Sequence, residues 1–133
     1  MAKQFTLGKE ERLKSRKLTE ELFGSGKSFA VFPLRVFYKI IDQPQWKFPV
    51  QAGVSVSGKN FKNAVDRNRI KRLLREAYRL QKTHLYECCR SKQKQLAVFF
   101  IYTDKTLPDQ SLISSKMAVI LKKLEAIINE VPA

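Results

Sequence analysis

The sequence has one histidine, His84, and 12 acidic residues against 26 lysines and arginines. A ribonuclease that works without a metal ion usually needs a general base and a general acid, often two histidines. No Cys-x-x-Cys, His-x-His or Asp-x-Asp pair is present to form a metal cage. We therefore expect no catalytic residues, no metal site and no cofactor bound by this chain. His84 falls on the apolar side of a predicted helix, where a half-buried structural histidine is expected.

Cysteines are few and long apolar runs are absent. Cys88 and Cys89 are neighbours in a predicted helix and point about 100° apart, so a bridge between them is not expected. Both are interpreted as reduced, structural thiols. No segment approaches the roughly 20 apolar residues of a membrane span, and the N-terminal residues contain no hydrophobic signal region. These absences predict a cytoplasmic protein with no membrane partner.

Positive charge is what the sequence has in excess: the formal net charge is +14 and the pI is about 10.0. A compact domain of such charge repels itself, which favours a polyanionic partner over a role in stability. Nucleic acid is the first candidate, an anionic membrane surface the second and an acidic protein the third. The alternative is a basic surface that only keeps the protein soluble.

Hydrophobic patterning predicts one α+β domain over residues 1–133, with a core from about 11 to 128. A short helix follows Ser15 as its N-cap, and Gly24 and Gly26 end it. Two strands are predicted at 32–41 and 48–57, with a turn at 42–45, and the even-numbered residues of both are uniformly apolar. One sheet face should therefore pack on helices while the other stays partly open. A long helix at about 63–90, a buried strand at 96–102 and a helix at 112–128 complete an α/β sandwich.

The long helix concentrates the charge. Residues 59–82 contain nine basic and two acidic residues, a net +7. At 100° per residue, one side of the helix is an apolar stripe: Ile70, Leu73, Leu74, Ala77, Leu80, His84 and Cys88. The opposite side is cationic and polar: Asn68, Lys71, Arg72, Arg75, Arg79 and Lys82.

Arg67 and Arg69 lie in the first turn of this helix, one on each side of the apolar stripe. Cations there oppose the helix dipole, so local stability does not explain them, whereas bidentate binding of phosphates does. Asn68 between them can read a base edge or a ribose hydroxyl. The alternative is an ordinary solvated face, which would carry glutamates at i,i+4 spacing for support, and only Glu76 is so placed. The pattern therefore favours RNA contact.

One short motif resembles a nucleotide-binding motif without meeting its requirements. Residues 24–28 imitate the end of a phosphate-binding loop, but Glu21 stands where that loop needs another glycine. The segment also follows a helix and opens a strand, the reverse of the order that the loop requires. We therefore predict no nucleotide site here.

Residues 64–76 closely resemble the central helix of the bacterial ribonuclease P protein family, whose motif is matched by Arg67-Asn68-Arg69, Lys71-Arg72 and Arg75. Residues 53–60 resemble the strand and turn before that helix. Arg12-Leu13-Lys14, Leu22-Phe23 and Gly26 resemble its first helix and exit. The similarity extends from about residue 11 to 128.

The resemblance implies a fold like that of ribosomal proteins, with a left-handed βαβ crossover. It also implies that the chain is the protein subunit of an endoribonuclease that removes the 5′ leader of precursor tRNA. In that family a catalytic RNA subunit performs the chemistry with Mg²⁺, and no obligate protein partner is needed. The carried-over contacts to the RNA subunit are Arg67, Asn68, Arg69, Lys71, Arg72, Arg75, Arg79 and Lys59.

A cleft between the first helix and the open sheet face would hold the single-stranded leader. Its candidate residues offer cations, rings and hydroxyls that suit sequence-tolerant binding: Phe23, Arg35, Phe37, Lys39, Ser55 and Ser57. For the two phenylalanines, plain packing is the equal alternative. For the whole chain, the alternative function is a ribosomal protein or RNA chaperone without an enzymatic partner. A DNA-binding helix would instead prefer duplex DNA to structured RNA.

Overall fold

The computed structural model of the protein describes residues 11–13, 15–41, 47–57 and 59–130. Its helices and strands are, in chain order, α1 (Arg16–Ser25), β1 (Lys27–Val31), β2 (Leu34–Ile41), β3 (Val50–Val56), α2 (Ala64–Gln81), α3 (Thr83–Lys92), β4 (Gln95–Tyr102) and α4 (Gln110–Glu130). The predicted α+β architecture is confirmed. None of the described helices is both long enough and apolar enough to cross a membrane.

The four strands form one sheet in the order β1-β2-β4-β3. The predicted buried strand, β4, lies inside the sheet, antiparallel to β2 and parallel to β3. Since α2 and α3 connect the parallel pair β3 and β4, the chain contains the expected βαβ crossover, whose handedness stays a prediction. The predicted turn at 42–45 lies outside the described residues.

The first predicted strand begins too early. β1 occupies residues 27–31 and pairs antiparallel with β2, while Phe32 and Pro33 form the turn between them. Phe32 is 67% exposed, so this ring belongs to the turn and not to the sheet. An apolar residue next to an alternating strand extends the pattern by chance, which is why the sequence placed it in β2.

The two ends of α1 are set by capping. The Ser15 side chain accepts a hydrogen bond from the Leu18 amide (3.2 Å), and the Gly26 amide donates to the carbonyls of Glu21 and Leu22 (both 3.1 Å). A Cβ on residue 26 would lie 2.5 Å from the Leu22 carbonyl oxygen, so glycine is required there. Residues 24–28 thus end a helix and open a strand, as predicted, and do not form a phosphate-binding loop.

The sheet has one covered and one partly open face. The even-numbered side chains predicted to face helices are mostly buried, among them Leu34, Val36, Val50 and Val56. α2 and α4 pack on this face, as shown by the contact of Tyr78 with Phe100. α1 lies on the other face, where it covers part of β2 and β4.

The predicted long helix is two helices. α2 ends at Gln81 and α3 begins at Thr83, and the junction residue Lys82 is only 2% exposed because its ammonium pairs with the buried carboxylate of Glu11. The predicted apolar stripe is correct up to Ala77 and at Cys88, which packs against the core, and it is wrong at Leu80 and His84. Leu80 and His84 are exposed, so the half-buried position expected for His84 is wrong, and Glu11 is buried.

Candidate RNA interface

α2 is positioned by an N-cap and by its buried side. The Asn63 side chain accepts a hydrogen bond from the Val65 amide (2.9 Å), which starts the helix at Ala64. Ile70 and Leu74 are fully buried beneath it. The residues between these apolar positions must therefore face away from the sheet.

The outward side of α2 is the predicted cationic surface, here called the cationic face and defined as Asn68, Arg69, Lys71, Arg72 and Arg75. Lys71 is half-buried and the other four are exposed. Within the described residues, these side chains form no ion pair or hydrogen bond. Lys59 is also exposed, in the turn that precedes α2. The outward placement predicted for Asn68, Lys71, Arg72 and Arg75 is confirmed. Arg69, predicted to flank the apolar stripe, is exposed as well.

Arg67 has a structural role that the sequence did not reveal. Its Nη1 donates to the carbonyls of Phe61 (2.7 Å) and Lys62 (2.8 Å) just before α2. The inference that local stability does not explain Arg67 is therefore wrong, because the side chain fixes the loop that leads into the helix. Nε and Nη2 remain as further donors for a ligand.

Arg79 is partly neutralised. Its Nε donates to Glu76 Oε2 (3.2 Å), and its Nη2 forms an ion pair with Glu76 Oε1. The hydrogen bonds lower the pKa of Glu76 and raise that of Arg79. Lys82, placed by the sequence on the cationic side, is instead buried. The usable cations of α2 are therefore concentrated in its first three turns.

The open face of the sheet has an aromatic cluster, defined as Phe23, Phe37 and Phe99. The Phe23 ring from α1 meets Phe37 edge-on at 4.9 Å and Phe99 at 5.3 Å. Phe23 nevertheless stays 45% exposed. The expected packing of Phe23 and Phe37 is therefore present, and stacking of a base on these rings stays a prediction. Sequence reasoning missed Phe99. Because β4 is apolar throughout, its sequence shows no alternation that would assign each side chain to one face of the sheet.

Polar candidates surround this cluster. The Arg35 guanidinium lies 5.4 Å from the centre of the Phe37 ring and donates to Ser28 Oγ (3.2 Å). Lys39 pairs with Glu21 on α1 at 3.2 Å, which reduces its charge toward a ligand. Ser55 and Ser57 are half-buried, Ser55 within β3 and Ser57 just after it.

The edge of β3 connects the two surfaces. Arg12 pairs with Ala52 in a parallel bridge, and the Leu13 amide donates to the Ala52 carbonyl (2.9 Å). The residues that resembled the start of the first helix therefore extend the sheet edge, and Lys14 lies outside the described residues. A cleft of about 350 Å³ opens beside them, with Arg12, Gly53, Phe99 and Arg75 among its lining residues. Arg75 thus belongs both to the cationic face and to this cleft.

Comparisons with known proteins agree with this geometry. The sequence profile of the family described as Ribonuclease P matches residues 7–125. The ribonuclease P protein component of Porphyromonas gingivalis is 39% identical over 129 residues, covering 97% of this chain and 91% of the relative. That of Chlorobium phaeobacteroides is 35% identical over 128 residues, covering 90% and 88%.

Solved structures show the same fold. The RNase P protein of Staphylococcus aureus superimposes with a TM-score of 0.66 at 24% identity, covering 86% of this chain and 95% of the other. The RNase P protein of Thermotoga maritima gives a TM-score of 0.65 at 24% identity, covering 85% and 96%. From the profile match and the curated relatives, the chain belongs to the ribonuclease P protein family and is a protein subunit of that endoribonuclease.

Proposed function

We propose that the chain binds the RNA subunit of ribonuclease P through the cationic face of α2 and assists removal of the 5′ leader from precursor tRNA. One observation carries this proposal: Arg69, Arg72 and Arg75 are exposed without carboxylate partners among the described residues. Arginine's planar fork matches a phosphate bidentately, so a row of free guanidinium groups suits a sugar–phosphate backbone. Arg67 and Lys59 extend this row at its N-terminal end.

The open face is the proposed binding surface for the single-stranded leader. The aromatic cluster offers a ring surface on which a base can stack, and Arg35 beside Phe37 adds a cation. Ser55, Ser57 and Lys39 supply polar contacts around it. Because Arg75 and Phe99 line one cleft, RNA bound on the two surfaces would meet at the edge of β3.

The division of labour follows from the side chains present. The only histidine, His84, lies on α3 and not on the cationic face. Glu21 and Glu76 are held in ion pairs with Lys39 and Arg79. We propose that Mg²⁺ held by the RNA supplies the hydrolytic chemistry and that this chain positions RNA. The site of action expected for it is the cytoplasm.

The test compares two triple variants of the full chain for binding to the RNA subunit. Arg69→Ala/Arg72→Ala/Arg75→Ala removes the cationic face, whereas Arg90→Ala/Lys105→Ala/Lys122→Ala removes three exposed cations elsewhere. The first variant should bind more weakly, and the slope of log K against log salt should fall by roughly one for each phosphate that is no longer neutralised. The second should keep a slope near that of the unmodified protein. An unchanged slope in the first variant would refute the proposal.

A further inference from the structure

α3 and α4 bring three potential metal ligands together, on helices other than the one that carries the cationic face. His84 and Cys88 are one helical turn apart on α3, and Glu125 faces them from α4. The His84 nitrogen, the Cys88 sulfur and a Glu125 oxygen all lie within 4.8 Å of one another. His84 Nδ1 is already 2.7 Å from Glu125 Oε1. We call these residues the His-Cys-Glu cluster.

In this cluster, two of the ligands are partly buried and the third is exposed to solvent. The Glu125 side chain is 15% exposed and Cys88 is half-buried, so the packing of α3 on α4 holds both in place. The His84 side chain is 73% exposed and can adjust its rotamer. The Asn129 side chain, one turn beyond Glu125 on α4, hydrogen-bonds Cys88 and places a fourth polar group beside it.

The local electrostatics favour a cation although the chain as a whole is strongly basic. Burial raises the pKa of the Cys88 thiol, and the carboxylates of Glu125 and Glu87 raise it further, against the hydrogen bond from Asn129. The charged side chains that act on this sulfur are therefore both acidic. A divalent ion would replace this repulsion by attraction, since a coordinating thiol loses its proton.

We propose that His84, Cys88 and Glu125 form a site for a zinc-type divalent transition-metal ion. Nitrogen, sulfur and oxygen donors together suit Zn²⁺, whereas Mg²⁺ and Ca²⁺ need oxygen ligands. On binding, the thiol proton leaves to solvent, and the neutral imidazole binds the ion through its unprotonated nitrogen. Zinc–ligand bonds of about 2.0–2.3 Å require ligand atoms about 3.2–3.8 Å apart, so these atoms, which lie within 4.8 Å of one another, need side-chain adjustment on binding. Water or Asn129 would complete the tetrahedron.

A metal ion at this site would cross-link α3, which belongs to the βαβ crossover, to α4. An ion that binds the folded chain and not the unfolded one stabilises the folded state by mass action. The site does not involve the cationic face or the aromatic cluster, so it is independent of the proposed RNA contacts.

The experiment uses the untagged full chain, because an added polyhistidine tag would itself bind metal. Co²⁺, a spectroscopic substitute for Zn²⁺, should give a thiolate-to-cobalt charge-transfer band at one ion per chain, and added Zn²⁺ should remove the band. Cys88→Ser should abolish the band, and Glu125→Gln should weaken Zn²⁺ affinity at least about tenfold, as removal of even an outer-shell partner commonly does. Zn²⁺ should also raise the Tm of the unmodified protein.

Two controls keep the result specific. Cys89→Ala removes the neighbouring, buried thiol, and Glu87→Gln removes a nearby carboxylate outside the cluster; both variants should keep the band. No band in the unmodified protein would overturn the proposal. A band that persists in Cys88→Ser would also overturn the proposal, and this outcome does not depend on whether the Cys89→Ala control folds.

Discussion

At the scale of single residues, the same residue type does different work at neighbouring positions. Arg67 and Arg69 are two positions apart in the α2 motif, yet Arg67 donates to two backbone carbonyls while Arg69 has no partner among the described residues. The chemical reason is direction, because 200° of helical rotation separates them. Function and stability are therefore separable within one motif.

This separation predicts different outcomes for two alanine variants. Arg67→Ala should lower the free energy of unfolding by about 1 kcal/mol, since it removes two charge-assisted hydrogen bonds at a partly exposed site, and should also weaken RNA binding. Arg69→Ala should weaken RNA binding while stability changes by less than about 0.5 kcal/mol. Urea unfolding and titration with the RNA subunit measure the two effects. Equal decreases in stability would contradict the structural role of Arg67.

Gly53 is the second residue whose role depends on a neighbour. A Cβ at this position would lie 2.7 Å from two ring carbons of Phe99, the residue that pairs with Gly53 across β3 and β4. The missing side chain lets Phe99 sit where it meets Phe23. Gly53 therefore supports the aromatic cluster and, through it, the proposed leader surface.

Gly53→Ala should displace the Phe99 ring and destabilise the fold by about 1–3 kcal/mol, the usual cost of overpacking. Affinity for precursor tRNA should fall toward that for a leaderless tRNA, which should bind unchanged. Gly24→Ala is the matched control, because nothing lies within 4 Å of its added Cβ and a helical Gly-to-Ala change is neutral or stabilising. A decrease in affinity that is equal with and without the leader would contradict this role.

At the scale of the elements, the α2–α3 junction contains a buried ion pair. Lys82 and Glu11 have side chains 3% and 4% exposed, and the Tyr86 hydroxyl donates to the same carboxylate at 2.7 Å. Burial raises the pKa of Tyr86 well above its ordinary value, so this hydroxyl keeps its proton. The ion pair thus connects Glu11 to Lys82, the residue between α2 and α3.

Removing one partner should leave the buried charge of the other without this ion pair. Glu11→Gln should lower the free energy of unfolding by about 3–5 kcal/mol, and adding Lys82→Met should recover much of that stability because the second charge is gone too. Glu20→Gln, an exposed glutamate on α1, is the control and should change little. Unfolding in denaturant measures the free energy of unfolding of these variants. A single variant as stable as the control would show that the pair contributes nothing.

The elements also show what periodicity can and cannot predict. The sequence placed α1 with its Ser15 cap, the central strand β4, α4 and the outward face of α2, because each depends on local spacing. It missed the break at Lys82, whose partner is 71 residues away, and the face of Phe99, since a central strand next to a parallel neighbour is apolar on both sides. It could not separate Arg67 from Arg69, because hydrogen bonds to the preceding loop have no sequence pattern.

At the scale of the whole molecule, the net charge of +14 matters through its arrangement. Arg75 of the cationic face and Arg12 line one cleft at the edge of β3, while the His-Cys-Glu cluster lies on α3 and α4, with Glu125 as its carboxylate. A compact, positively charged protein bound between RNA chains lowers the repulsion between their phosphates. Without such a protein, divalent ions must screen this repulsion. The protein should therefore reduce the Mg²⁺ that the holoenzyme needs.

The expected result is a lower Mg²⁺ concentration for half-maximal cleavage of precursor tRNA when the protein is added to its RNA subunit. Arg69→Ala/Arg72→Ala/Arg75→Ala should shift that midpoint back toward the RNA-alone value. Arg90→Ala/Lys105→Ala/Lys122→Ala lowers the net charge equally but should leave the midpoint near that of the unmodified protein. Single-turnover cleavage across a Mg²⁺ series measures the three midpoints. Equal shifts in both variants would mean that total charge, and not its placement on α2, governs the effect, and site-specific cleavage by the protein alone would refute the division of labour.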